Sequence, residues 1–312
     1  RVLNQRDGIG EATRQKVLAA ARRTGFRPRT TVRQHTVAIV VDRSQFSTFG
    51  GFVSTIVAQL MQVMSQEGLI VELVSERSFA RLHDHLVDGV LALAWDDATI
   101  AELRTLPDIP VVTINRMDVP DFSAVATNHL QQAQKAVTYL HGRGHRRIAM
   151  LGEERNNWGS QQRVEGFTQA MTSAGLPVDD HAIVFTDHQP MYGVLRRLVS
   201  GYNPTAIFVA GEDMALEASY ILRDVLGLKI PHDISLLGME SPKVSQFLAP
   251  PMTTLSQPLD QVAAMSLQVL KERMGKGRGT AQRIMLDNSL IERESVTAVV
   301  GQPRNLNKES TP

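Results

Sequence analysis

The sequence predicts an α/β protein of two similar lobes, each a parallel sheet flanked by helices, preceded by a small helical segment. Three observations carry this. From Thr36 onward, short apolar runs bounded by turn residues alternate with amphipathic stretches, the pattern of βαβ folds. The alternation begins again after Arg143, so the chain repeats one plan. Strand-like and helix-like segments then return after Thr253, which implies several crossings between the lobes.

Composition bounds the reading. The 312 residues exceed one average domain, and 43% apolar with 21% charged residues suits a globular chain with a sizeable core. Cysteine is absent, which excludes disulfides, thiolate metal sites and cysteine nucleophiles. No stretch approaches the ~18 uninterrupted apolar residues of a membrane span. There is no apolar signal core at the start, and no initiator methionine, so the chain is expected to begin inside a longer gene product. Residues 1–35 hold nine Lys/Arg against Asp7 and Glu11, a +7 end on a −6 body. A basic end on an acidic body is the electrostatic pattern of a nucleic-acid-facing appendage.

Taken in order, Glu11 to Thr24 reads as a helix closed by Gly25. Gly8-Ile-Gly10 lacks both a preceding strand and a third glycine, so it is not a dinucleotide loop. Val37 to Val41 is a strand. Phe49 to Gln66 is a helix with Phe52, Ile56, Leu60 and Val63 along one face. Ile70 to Val74 is a strand, Phe79 to Leu86 a short helix, and Gly89 to Leu93 a strand. Ala98 to Leu106 is a helix, Pro110 to Ile114 a strand, Ala124 to Ala126 a short edge strand, and Asn128 to Arg143 a helix. The second half gives a strand over Arg147 to Leu151, a helix over Ser160 to Ala174, and a strand around Ala182 to Phe185. A helix around Tyr192 to Ser200, a strand over Ala206 to Ala210, a helix over Asp213 to Leu226 and a strand over Ile234 to Leu237 follow. Thr253 to Ser256 crosses back, and Leu259 to Met274 is a helix. The segments around Arg283 to Leu286 and Leu290 to Glu292 are expected to finish the second sheet. The polar tail, residues 301–312, is expected to be disordered.

The stretch from Leu140 to Phe167 is the most informative. Gly142 and Gly144 can take the left-handed conformation that ends a helix. Ile148 to Leu151 is a buried-strand pattern, Ser160 a candidate N-cap, and Arg163 is placed in the following first turn. Ligands of open α/β sheets bind beyond the carboxyl ends of the strands. Arg163 would point a rigid fork of donors there, suited to hydroxyls or a carboxylate; the alternative is a surface ion pair.

Arg1-Val-Leu-Asn4, Thr13-Arg14-Gln-Lys-Val-Leu18 and Gly25-Phe-Arg-Pro28 resemble the headpiece of LacI/GalR-type bacterial transcription regulators. In the core, Gly144-His-Arg-Arg-Ile148, Ser160-Gln-Gln-Arg-Val-Glu-Gly-Phe167, Pro204-Thr-Ala-Ile-Phe208, Ile230-Pro-His-Asp-Ile-Ser235 and Pro250-Pro-Met-Thr-Thr254 match the same family in order. The resemblance covers residues 1–296 and implies a type I periplasmic-binding-protein-like core that senses an effector. It divides the chain into a partial helix-turn-helix headpiece and hinge (1–35), an N-terminal lobe (36–126 plus 257–275) and a C-terminal lobe (127–256 plus 280–300). It implies that the first helix and most of the recognition helix are absent, leaving Arg1, Asn4, Arg29 and Arg33 as DNA-contact candidates. Residues 29–35 stand where the family has its hinge helix, but without the leucine that wedges into the minor groove.

Effector candidates lie at strand carboxyl ends and helix starts facing the cleft, the default small-molecule site between two lobes. Arg163 matches the arginine that the family uses on effector hydroxyls or carboxylate. Asn115 follows the strand at Ile114, where many members carry Asp. Glu212 and Asp213 stand where the family usually has Asn-Asp, with Asp213 alternatively a helix cap. Glu240 replaces a usual aspartate. Trp95, Trp158 and Phe49 offer aromatic faces for a sugar, with ordinary packing as the other reading. His83-Asp84-His85 point apart on a helix and are not expected to share a metal. No phosphate loop, nucleophile elbow or paired catalytic acids occur, so neither an enzyme nor a cofactor is expected. The reading is a cytoplasmic, homodimeric DNA-binding regulator, in the sense of a repressor, controlled by a sugar-like effector. The alternative is a solute-binding protein of a transport system.

Overall fold

The computed structural model describes residues 36–42, 51–75, 87–106, 109–274 and 279–299, with single helical positions at Ala12, Thr13, Lys16, Val17, Ala20, Phe79 and Leu82. The rest of the headpiece, the hinge, His83 to His85 and the tail lie outside the described residues. The chain divides into two compact units. The first comprises Arg1–Thr48, Val57–Val125 and Ala263–Arg283, the second Phe49–Ile56, Ala126–Val262 and Ile284–Pro312.

In the first unit, six strands order as β11-β5-β4-β3-β1-β2. They are β1 (Thr36–Val41), β2 (Ile70–Ser75), β3 (Gly89–Leu93), β4 (Val111–Ile114), β5 (Ser123–Thr127) and β11 (Arg283–Leu286). β1 runs parallel to β2 and β3, β3 to β4, and β4 to β5. Parallel strands covered on both faces read as continuous apolar runs, and every residue of β1, β3 and β4 is buried. Helix α1 (Gly51–Gln66) buries Ile56, Leu60 and Met64, and α2 (Asp97–Thr105) buries Ile100 and Leu103. Asp96 caps α2 by accepting from the Thr99 N–H at 2.6 Å.

Two expectations are corrected in this sheet. β5 is not an edge, because β11 lies beyond it and the Ala124 N–H donates to the Gln282 carbonyl at 2.8 Å. For the same reason Arg283 to Leu286 completes the first sheet rather than the second. A four-residue strand pattern carries no mark of which sheet edge it will join.

The second unit's sheet orders as β12-β10-β9-β8-β6-β7. Its strands are β6 (Ile148–Gly152), β7 (Ile183–Phe185), β8 (Ala206–Val209), β9 (Ser235–Met239), β10 (Thr253–Ser256) and β12 (Ser289–Ile291). All pairs are parallel except β10 with β12. Alternation along β6 and β8 sorts side chains into two cores. Ile148, Met150, Ala206 and Phe208 join Phe167 and Met171 on one face; Ala149, Leu151, Ile207 and Val209 join Leu195, Leu198 and Leu222 on the other. The helices are α3 (His129–Gly142), α4 (Trp158–Ser173), α5 (Met191–Gly201) and α6 (Glu212–Tyr220), while α7 (Leu259–Arg273) crosses from this unit into the first.

The helix starts also differ from expectation. α4 is capped by Asn157, whose side chain accepts from the Ser160 N–H at 2.8 Å; Ser160 is buried inside the first turn and Arg163 falls in the second. α6 follows Gly211 with no side-chain cap, so Asp213 is a first-turn residue and not a cap. The stretch to Val225 continues as a π-turn, Ile221–Val225. At the end of α3, Gly144 takes φ +87° while Gly142 stays helical. The Gly144 and His145 N–H groups then close onto the carbonyls of His141 and Leu140. His145 is a corner residue: its ring nitrogens lie 3.0 Å from the Thr205 hydroxyl and 3.0 Å from the Thr297 carbonyl.

The closing segment laces the second sheet together. The Leu236 N–H donates to the Ser295 carbonyl at 2.8 Å, the Thr253 N–H to the Ser295 hydroxyl at 2.8 Å, and the Thr297 N–H to the Ser235 hydroxyl at 3.1 Å. Helix α4 packs against α3 at Gly166, where a Cβ would stand 2.1 Å from the Leu130 carbonyl oxygen. Only glycine fits there. Gly166→Ala must push the helices apart and should cost about 1–3 kcal/mol, the usual range for overpacking, read as a lowered midpoint in urea unfolding.

Candidate functional site

In the second unit the functional side chains arise at the carboxyl ends of the strands and on the two helices that pack at Gly166. Along α3 the inward positions His129, Gln132, Ala133, Ala136, Val137 and Leu140 follow helical spacing, so His129 and Gln132 are polar groups at the start of an otherwise apolar stripe. Both ends of the Gln132 amide are engaged. The Gln132 carbonyl accepts from Arg163 Nε at 2.7 Å, and its NH2 donates to Asn288 Oδ1 at 3.0 Å. Asn288 in turn donates to the Asn128 carbonyl at 2.9 Å and is met by the Lys135 ammonium. Arg163 is thus held at one nitrogen by a buried network anchored on α3 and the β11–β12 link.

The charge of Arg163 is not balanced: among the described residues no carboxylate lies within ion-pair distance of it. Desolvation alone draws its pKa down to about 10, which leaves it a cation at neutral pH. Next to it, His129 is buried, and desolvation followed by repulsion from Arg163 pushes its pKa well below the ordinary histidine value. It is therefore a neutral ring, and it meets Trp158 edge-on with centroids 5.4 Å apart. The Thr127 hydroxyl lies 3.4 Å from His129 Nδ1 and donates to Gln257 at 2.8 Å. Arg163, Trp158, His129 and Gln132 form one group. The first two were legible in the sequence and the second two were not, although Gln132 breaks the apolar stripe of α3.

The acidic candidates form another group. Glu212 opens α6 at 7% exposure. Desolvation, and then repulsion from Asp213 and Glu240, raises its pKa to about 8. Glu240 follows β9 and is buried. Its carboxylate receives both terminal nitrogens of Arg293 at 2.8 and 2.9 Å and also the Thr254 hydroxyl. This is a bidentate, charge-assisted pair, so most of Glu240's acceptor capacity is used inside the fold. Arg293 was invisible to sequence reasoning, being 53 residues away in a loop-like stretch.

In the first unit, Trp95 and Asn115 come together around a different pair of residues. Asp42, fully buried at the end of β1, accepts from the Trp95 N–H at 2.6 Å and the Asp96 N–H at 3.2 Å. Asn115 follows β4 with φ 55° and donates its N–H to the Val125 carbonyl at 3.0 Å. Arg116, beside it, donates to the Trp95 carbonyl at 2.7 Å and pairs with Asp97 and Asp118. Asp42 and Arg116 thereby fix the backbone that carries both candidates. Phe49, like Arg1, Asn4, Arg29 and Arg33, lies outside the described residues. No group of three Asp, Glu or His among the described residues could hold a metal ion.

Comparison with known proteins gives a consistent picture. A family model described as a periplasmic binding protein-like domain matches residues 137–296. The HTH-type transcriptional repressor PurR of Klebsiella pneumoniae subsp. pneumoniae is 29% identical over 315 residues, covering 95% of this chain and 91% of the relative. The solved transcriptional regulator CelR–cellobiose complex has a TM-score of 0.75 at 27% identity, covering 95% of this chain and 94% of that one. A LacI family transcriptional regulator from Enterococcus faecium with bound ribose superposes at a TM-score of 0.73 over 85% of this chain and 100% of that one. At 20% identity it speaks for the fold alone.

Two predictions follow from the charges. The Glu212 carboxyl titrates near 4.5 when unfolded and near 8 when folded, so the folded state holds the extra proton between these values. Its contribution to stability is present below pH 4.5 and is lost as pH rises to about 8. The stability of wild type relative to Glu212→Gln should therefore fall between pH 5 and pH 8 in matched urea titrations. Arg293→Met leaves the buried Glu240 carboxylate unpaired and should destabilise by about 3–5 kcal/mol in the same assay at pH 7.

Proposed function

The chain belongs to the periplasmic binding protein-like family, as a LacI-type transcription regulator, and from that premise we propose that its second unit binds a sugar-like effector controlling operator affinity. The observation that carries this is Arg163: a desolvated guanidinium, positioned by Gln132 and facing no carboxylate among the described residues. A cation left without an internal partner is suited to effector hydroxyls or an anionic group. Trp158, braced by His129, supplies an aromatic face for the C–H surface of a sugar. Asp213 and Glu212 are the polar groups at the start of α6; Asn115 and Trp95 remain candidates of the first unit, taken by itself. Glu240 acts through Arg293 rather than on the effector. The cellobiose bound by the solved relative supports the sugar class.

Operator binding rests on the basic segment 1–35 and its resemblance to a helix-turn-helix headpiece, with Arg1, Asn4, Arg29 and Arg33 as phosphate or base contacts. An effector shifts the regulator between states only by its differential affinity for them. No described helix is long and apolar enough to cross a membrane; the protein acts in the cytoplasm, where its operator is. It works as a homodimer. Tyr220, Val225 and Phe247 stand exposed, Phe247 at 78%, on two segments joined by the Arg223 guanidinium and the Ala249 carbonyl. Such a patch suits a second copy of the chain.

The test is a thermal-shift screen of sugars, sugar phosphates, polyols, nucleobases and amino acids. A sugar at about 100 times its Kd should add roughly 2.7 kcal/mol of stability. The gain should vanish in Arg163→Ala, with the circular dichroism spectrum unchanged. An undiminished shift in a folded Arg163→Ala protein overturns the role given to Arg163.

A further inference from the structure

The second unit holds two buried ionisable groups that its described residues leave without a counter-ion. One is Arg163. The other is the start of α6, where Glu212 is 7% exposed and its carboxyl has neither a hydrogen bond nor an ion pair among the described residues. Among the described residues, the charges that act on Glu212 are those of Asp213 and Glu240, and the Asp213 carboxylate lies against Gly51 at the start of α1. Asp213 adjoins it on the same helix, and Glu240 approaches from the loop after β9, already neutralised by Arg293. Glu153, after β6, lies close enough to Asp213 for their charges to repel, and is flanked by Glu154 and His188. His188 pairs with Glu154 at 3.5 Å. No lysine or arginine among the described residues is within ion-pair distance of Glu212, Asp213 or Glu153.

A buried carboxyl without a partner is costly and invites one. A bare metal ion does not fit, because no three described Asp, Glu or His residues are placed to share it. An organic cation spreads its contacts more widely and needs only two oxygens. Accepting the effector reading given above, we propose that the effector is an amino sugar, whose ammonium group pairs with Glu212 and Asp213 while Arg163 takes its hydroxyls. Glu212 is held protonated to about pH 8 in the empty protein. When a protonated amine enters, the Glu212 proton leaves to the buffer and the carboxylate pairs with the ammonium; no other proton moves.

The experiment compares glucose with glucosamine, galactose with galactosamine and mannose with mannosamine, by calorimetry on the full chain at pH 7. In the pair that binds, the amino sugar should bind about tenfold tighter than its neutral partner. That ratio should fall toward one in Glu212→Gln, or in Asp213→Asn if the first variant does not fold. A neutral sugar that binds as tightly as its amino partner overturns the proposal while leaving the sugar reading intact. If no sugar binds, the sugar reading fails, and ethanolamine decides the amine separately. Thermal protection of wild type by ethanolamine, lost in Glu212→Gln, upholds the cation site; absence of protection overturns it.

Discussion

Where α4 crosses α3, the two backbones meet at Gly166 so closely that a methyl group would strike the Leu130 carbonyl. This approach places Arg163, one turn earlier on α4, beside Gln132 on α3. Everything polar in that group follows from it. Gln132 is buried and must satisfy both ends of its amide, so it ties Arg163 to Asn288 and through it to the start of α3. The guanidinium is fixed at Nε while its two amino groups keep their donor capacity for a ligand. A rigid donor fork loses little entropy on binding, which is the advantage of an arginine seated on packed helices over one on a loop.

The acidic residues of the second unit divide into two kinds by their partners. Glu240 and Arg293 form a bidentate pair with Thr254, an internal joint between the end of β9 and the closing segment. Replacing either partner leaves the other buried and unsatisfied, so the pair acts as a unit. Glu212 has the same residue type and similar burial but no such joint. One arginine separates the paired carboxylate from the unpaired one.

Much of the architecture was legible in the sequence because parallel strands buried on both faces write themselves as apolar runs, as at Val37 to Val41 and Ile148 to Leu151. Helix α3 was legible through its 3.6-residue stripe. Sheet membership of β11 was not, since Arg283 to Leu286 alternates exposed and half-buried side chains and gives no sign of its neighbour. Helix starts were misread where two polar residues competed: Asn157 and Ser160 both suit a cap, and only the backbone course to Trp158 chooses between them. Arg163, Trp158 and the acidic residues were named from their place after strands. What they touch was not legible, because Gln132, His129 and Arg293 reach them from segments distant in the chain.

The lacing of the second sheet by Ser295 and Thr297 sets an order of assembly. Strands β6, β8 and β9 emerge from the ribosome well before the residues that satisfy Leu236, Ser235 and Thr253. Glu240 likewise waits more than fifty residues for Arg293. At about 5–20 residues per second, the nascent second unit spends several seconds with unpaired strand edges and a carboxylate without its counter-ion. The stretch from Ser295 to Thr297 acts as a clasp on the second sheet, which is complete only once that stretch has been made.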